Sequence, residues 1–142
     1  MRIAEIENEI IEEFELFGDE WEGKYGHLID LGNNLPLIDK QHKTNDRLIE
    51  GCQSRVWLYS ELYDGKVVFT ADSDAIITKG IVAILIRVFS GQTPEEILQA
   101  DAKFIDDIGL KEHLSPTRAN GLVSMIKQIK MYAIALNLSQ NS

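Results

Sequence analysis

The segment Arg55–Ala71, RVWLYSELYDGKVVFTA, decides the fold. β-branched and aromatic side chains dominate it, the composition of a pleated, half-buried strand. Asp64-Gly65 interrupts it once. Two residues of this kind suit a type I′ turn, which needs positive φ at both central positions and fits the twist of an antiparallel hairpin. Arg55–Tyr63 and Lys66–Ala71 therefore pair, and the short run Arg47–Glu50 is expected as a third strand. A sheet this small does not stand alone, so helices must cover at least one face.

The flanking sequence supplies them. Ile3, Ile6, Ile10, Phe14 and Phe17 recur at spacings of three and four, one apolar helix stripe with glutamates opposite. Gly18-Asp19 ends that helix, and Asp19 is placed to cap a second one from Glu20 to about Leu31. Gly32-Asn33-Asn34 breaks the chain, and a polar connector follows from Leu35-Pro36 to about Asp46. Beyond the hairpin, Asp72-Ser73-Asp74 offers caps for a largely buried helix from Ala75 to Phe89. Thr93-Pro94-Glu95-Glu96 is a capping box with proline at the first helical position. A short turn is expected within Ala102–Ile108, with His113 in the turn before the last helix. Ser115-Pro116 repeats the cap-then-proline signal and opens that helix, which runs to about Leu136. Ser139 to Ser142 is expected as a frayed tail. The order ααβββααα makes an α+β domain, a single one over residues 1–142.

Composition narrows the function. The chain has 142 residues, 44% hydrophobic and 26% charged, enough for one sizeable core. Its longest apolar run, Ile81–Ile86, is far short of the ~20 residues that span a bilayer. The acidic N-terminus has no signal-peptide character, so a cytoplasmic protein without membrane attachment is expected. The net charge is −9, and residues 1–22 carry nine acidic side chains against Arg2 alone. No basic stripe remains for nucleic acid, which is not expected as a partner. The acidic run reads either as a solvated helix face or as a docking surface for a basic partner.

Chemistry converges on Cys52, the only cysteine, in Glu50-Gly51-Cys52-Gln53-Ser54-Arg55 between two expected strands. It cannot form an internal disulfide. An inert, buried small hydrophobe and a reactive loop thiol both fit the pattern. Gly51 permits a tight turn or the close approach of another backbone. His27, His42 and His113 have no ligand spacing, so no metal site is expected. Gly80 interrupts an apolar helix at a cost of about 1 kcal/mol relative to alanine, and a packing contact accounts for it. Trp57 is expected in the core.

Three motifs carry a resemblance. Gly51-Cys52-Gln53-Ser54-x-Val56-Trp57 resembles the cysteine motif of the SufE family of sulfur-acceptor proteins. Asp72-Ser73-Asp74-Ala75, Lys79-Gly80 and Gly91-x-Thr93-Pro94 resemble that family too, as does His113-Leu114-Ser115-Pro116-x-Arg118-x-Asn120-Gly121-Leu122. The similarity runs in register from about residue 5 to 136, with Thr117 where serine is frequent.

The resemblance implies an α+β fold similar to the cluster-scaffold proteins of a related assembly pathway. It implies a protein that takes persulfide sulfur from a pyridoxal-phosphate-dependent cysteine desulfurase and passes it to an iron–sulfur scaffold complex. Such a protein is a partner and activator of the desulfurase rather than a stand-alone enzyme, and no resident cofactor is expected. Cys52 would carry the sulfur. Arg118 is the first candidate to activate its thiolate and Arg55 the second, while a structural pairing of Arg118 with a carboxylate such as Asp74 is the competing reading. Gly51, Gln53, Ser54, Arg55 and Asp74 are expected to meet the partner. The alternatives are an iron–sulfur scaffold, which one cysteine serves poorly, and a binding module in which Cys52 is incidental. A carrier's persulfide needs shelter, so Cys52 is expected to rest against apolar residues and swing out on docking.

Overall fold

A computed structural model describes residues 2–110 and 114–140. The expected turn at His113 and the last two residues of the tail lie outside them. The elements run α1 (Ile3–Glu15), α2 (Trp21–Asn33), β1 (Val56–Tyr63), β2 (Lys66–Ser73), α3 (Ile76–Phe89), α4 (Pro94–Gln99), α5 (Phe104–Asp107) and α6 (Pro116–Gln140).

The hairpin forms as its sequence requires. β1 and β2 pair antiparallel from Val56 opposite Ser73 to Tyr63 opposite Lys66. Asp64 and Gly65 take φ values of 53° and 76°. Val56, Leu58, Val67, Phe69 and Ala71 point inward and are buried. α3 packs behind β2, and the Tyr132 hydroxyl of α6 donates to Leu58 O at 3.1 Å, joining α6 to β1.

The sheet has two strands, not three. Asn45–Arg47 winds into a single 3-10 turn, and Gly51 turns the chain again at φ 89°. Only Leu48 and Ile49 between them run extended along β1. Leu48 bridges Trp57, and Ile49 N–H donates to Val56 O at 2.9 Å. Leu37 makes a similar lone bridge to Ala71 on the other edge. The connector thus runs from the β2 edge to the β1 edge. There Lys43 lies over the Trp57 ring and His42 stacks on Tyr59. Trp57 is consequently half-buried beneath a lysine rather than part of the core.

Helix starts follow the sequence in part. Thr93 and Glu96 form the full capping box of α4, and Ser115 Oγ accepts from Arg118 N–H at the start of α6. Glu20, not Asp19, stands at the N-cap of α2, with no side-chain bond. Asp72-Ser73-Asp74 caps α3 only indirectly: Ser73 Oγ accepts from Ala75 N–H, while both aspartates bind elsewhere. α6 continues through Ser139 and Gln140, past the expected end at Leu136.

The acidic face of α1 is partly spent within the fold. Arg87 of α3 reaches Glu13 at 2.5 Å and Glu9 at 3.5 Å, and His27 of α2 meets Glu13 at 3.1 Å. These contacts staple three helices together, leaving Glu5, Glu12 and Glu15 exposed.

Candidate functional site

Cys52 sits on a loop between two anchored points. On one side Ile49 is bonded to Val56. On the other, Asp74 closes a two-way clasp: its carboxylate accepts from Arg55 N–H at 3.0 Å and its own N–H donates to Arg55 O at 3.3 Å. Residues 50–54 span the gap. Their one hydrogen bond to α6 among the described residues runs from Cys52 Sγ–H to Gly121 O, at 3.6 Å.

Two glycines let the loop lie against α6. A Cβ on Gly51 would fall 2.5 Å from Ser124 Oγ, and the residue's φ of 89° disfavours any side chain there. Gly121 faces the cysteine directly: a Cβ there would stand 3.5 Å from Sγ and 3.7 Å from Cys52 Cα.

The thiol opens on a cavity of about 10 Å³. That is the space of roughly one water-sized atom. Gln53 and Ser54 line it from the loop, Thr78 and Ile81 from α3. Thr117, Arg118, Gly121 and Met125 line it from α6. The first turns of α3 and α6 therefore both face the sulfur, and helix N-termini favour negative charge. Cys52 is half-buried, and burial pushes its thiol above the ordinary value.

The expected site residues separate into two groups. Cys52, Gln53, Ser54 and Arg118 share the cavity. Arg118 is exposed, and its guanidinium makes no hydrogen bond or ion pair among the described residues. Among the described residues Arg118 pairs with no carboxylate, and the Asp74 carboxylate accepts from the Arg55 backbone. Arg55 is exposed, does not line the cavity, and serves the loop through its main chain. Gly51 is exposed and lies close against Ser124 of α6. Thr78 and Met125 escaped the sequence reading. The signal for Thr78 is a hydroxyl in the buried stripe that continues through Ile81, Val82 and Leu85.

Among the described residues no group of three or more histidine, cysteine or acidic side chains is arranged to hold a metal ion, and no helix is long and apolar enough to cross a membrane.

A helix-backed hairpin that presents one thiol on a short loop over a one-atom cavity defines a small α+β protein of the single-cysteine type. Comparison places it further. The SufE family model, described as an Fe-S metabolism associated domain, matches residues 8–133, and the chain belongs to that family. It is 44% identical over 131 residues to an uncharacterised SufE-like protein of Rhizobium meliloti (strain 1021), covering 89% of this chain and 93% of the relative. A hypothetical protein from Thermus thermophilus, solved in solution, shares the fold with a TM-score of 0.76. It is 19% identical, and the match covers 92% of this chain and 94% of that one.

Proposed function

We propose that this protein accepts persulfide sulfur from a cysteine desulfurase onto Cys52 and delivers it for iron–sulfur cluster assembly. One observation carries the reading: a thiol on a loop held to α6 by a single hydrogen bond among the described residues, above a cavity sized for one further atom. Membership of a family tied to iron–sulfur metabolism supports the pathway.

The chemistry is thiol exchange. The Cys52 thiolate attacks the outer sulfur of the donor persulfide. The donor S–S bond breaks as the new one forms on Cys52. The donor leaves as a thiolate and takes up the equivalent of the proton Cys52 gave away, so no oxidant or reductant is consumed. In the free protein burial holds the thiol neutral. Swinging residues 50–54 out restores solvation and costs little, because the Ile49–Val56 bond and the Asp74–Arg55 clasp remain as hinges. Arg118, exposed at the cavity mouth and unpaired among the described residues, is placed to favour the thiolate once the loop moves. Gln53 and Ser54 travel with the cysteine and meet the donor site. The protein works as a cytoplasmic partner and activator of the desulfurase, not alone.

The test is intact mass without reductant after mixing the protein with a desulfurase and cysteine. A gain of one sulfur atom, absent in Cys52→Ser, is required. No gain in the wild type would end the proposal.

A further inference from the structure

The cavity holds one side chain that sulfur transfer as described leaves unused. Thr78 is the third residue of α3, with 5% of its surface exposed, and it lines the cavity beside Cys52. A helical threonine commonly donates to the carbonyl one turn back. The Thr78 hydroxyl makes no hydrogen bond among the described residues, nor is it among their fully enclosed, unpartnered polar atoms. Thr78 is thus a buried residue whose hydroxyl opens on the cavity. A hydroxyl that no protein group binds is available to donate to whatever enters the cavity.

The cavity, about 10 Å³, leaves room for one added atom on Sγ. At an S–S bond length of about 2.05 Å an outer sulfur stays within that space, whereas a glutathione or alkyl adduct does not. We infer that Thr78 Oγ–H donates a hydrogen bond to the outer sulfur of the Cys52 persulfide and holds it in the cavity between acceptance and delivery. The inference rests on the sulfur-acceptor reading. A perthiol is a stronger acid than its parent thiol, so the outer sulfur is an anion under conditions where the buried thiol is neutral. An anionic acceptor strengthens the bond, and the first turns of α3 and α6 favour the same charge. Thr117 also lines the cavity but is exposed, so water competes for it. No bond to sulfur is made or broken in this contact, and Thr78 keeps its proton.

The experiment loads the full chain with one sulfur from inorganic polysulfide, which needs no desulfurase. Intact mass then follows the loss of that sulfur to cyanide, which leaves as thiocyanate. Thr78→Val keeps the branching and removes the O–H; Thr78→Ser keeps the O–H. Thr78→Val should lose its sulfur about tenfold faster than the wild type, and Thr78→Ser should stay within about twofold of it. Iodoacetamide should alkylate unloaded Cys52 equally fast in all three, since the free thiol makes no bond to Thr78. Equal persulfide lifetimes in the wild type and Thr78→Val overturn the inference, as does a matching change in alkylation, which would mean a displaced loop. If the lifetimes differ as expected but a desulfurase adds no sulfur to the wild type, the Thr78 contact stands and the acceptor reading falls.

Discussion

Gly121 faces Cys52 with nothing on its Cα: its carbonyl accepts the Sγ–H at 3.6 Å, and a Cβ there would stand 3.5 Å from the sulfur. That distance is ordinary van der Waals contact, so alanine fits beside the reduced cysteine. It does not fit beside a persulfide, because the methyl would occupy the one-atom cavity. Gly121→Ala should therefore fold normally and still react with a desulfurase. The added sulfur should overpack the site by about 1–3 kcal/mol, which shortens persulfide lifetime roughly fivefold to a hundredfold. Intact mass over time, with the melting temperature of the reduced form as control, checks it. An unchanged lifetime would place the outer sulfur elsewhere.

Cys52 should be a slow nucleophile in the free protein. An ordinary thiol, with a pKa of about 8.5, is a few per cent ionised at neutral pH. Burial raises the Cys52 value, so its ionised fraction is smaller still. The sign follows for stability. A thiol whose folded pKa exceeds its unfolded one contributes fully below the unfolded value, and the contribution is lost as pH rises through the folded value. Alkylation by iodoacetamide across the alkaline range should show a midpoint above that of the unfolded chain in denaturant, and Cys52→Ser should flatten the matching alkaline fall in stability. Coincident midpoints would mean that the loop does not shelter the thiol.

Arg118 is exposed beside the cavity and unpaired among the described residues, and the cause of the raised Cys52 value is burial. Its charge should thus act on the opened loop and not on the resting thiol. Arg118→Ala should leave the alkylation profile of the free protein unchanged and slow sulfur uptake from a desulfurase about tenfold, the scale of one lost charge-assisted contact. Stopped-time mass analysis separates the two effects. A shifted resting profile would assign Arg118 to the closed state instead.

How much of this was legible in the sequence depends on whether the cause is local. Asp64-Gly65 dictates its own φ values, so the hairpin and its register read directly. The capping box at Thr93–Glu96 is equally self-contained. The third strand failed because the turns at Asn45–Arg47 and Gly51 left only Leu48 and Ile49 extended, and a four-residue run gives too little pattern to register that. Cys52 stood out through loop placement beside a glycine. Its surroundings did not: Gly121 and Ser124 meet residues 51 and 52 only because α6 folds back across the sheet. Thr78 reads locally as one polar residue in an apolar helix. The clasp of Asp74 on Arg55 replaced an expected helix cap for the same reason, since which of several nearby donors an aspartate takes is settled by tertiary geometry.

Glu7 of α1 offers a pH test away from the cysteine. Burial first, then the neighbouring carboxylates of Asp101 and Asp107, raise it above the usual carboxylate value, and its Oε2 is enclosed without a partner among the described residues. A raised folded pKa means that Glu7 favours the fold fully below its unfolded value, about 4.3. That contribution disappears as pH rises through the folded value. Glu7→Gln cannot ionise and escapes the loss. Its melting temperature should be close to wild type near about pH 4 and higher at neutral pH, by an amount corresponding to at most about 1 kcal/mol. A gap that is constant with pH would show that ionisation of Glu7 is not involved.

Gly80 ties the cavity to the helix packing beneath it. A Cβ on Gly80 of α3 would fall 2.2 Å from Leu28 O and 2.8 Å from Leu28 C, backbone atoms of α2 that cannot rotate away. Gly32 of α2 meets the same crossing, where its Cβ would stand 3.0 Å from Gly80 N. The helix-propensity cost of glycine, about 1 kcal/mol, is offset by this close approach. Gly80→Ala must push α3 away from α2 and should cost about 3 kcal/mol, lowering the melting temperature by roughly 10 °C. Because α3 carries Thr78 and Ile81 on the cavity, the same shift should open the site and speed Cys52 alkylation. Gly26, exposed on α2 with nothing within 4 Å of its would-be Cβ, gives the control. Gly26→Ala should stabilise the protein by about 0.5–1 kcal/mol and leave alkylation untouched. If both substitutions behaved alike, the tight crossing of α2 and α3 would not be what holds the floor of the cysteine cavity in place.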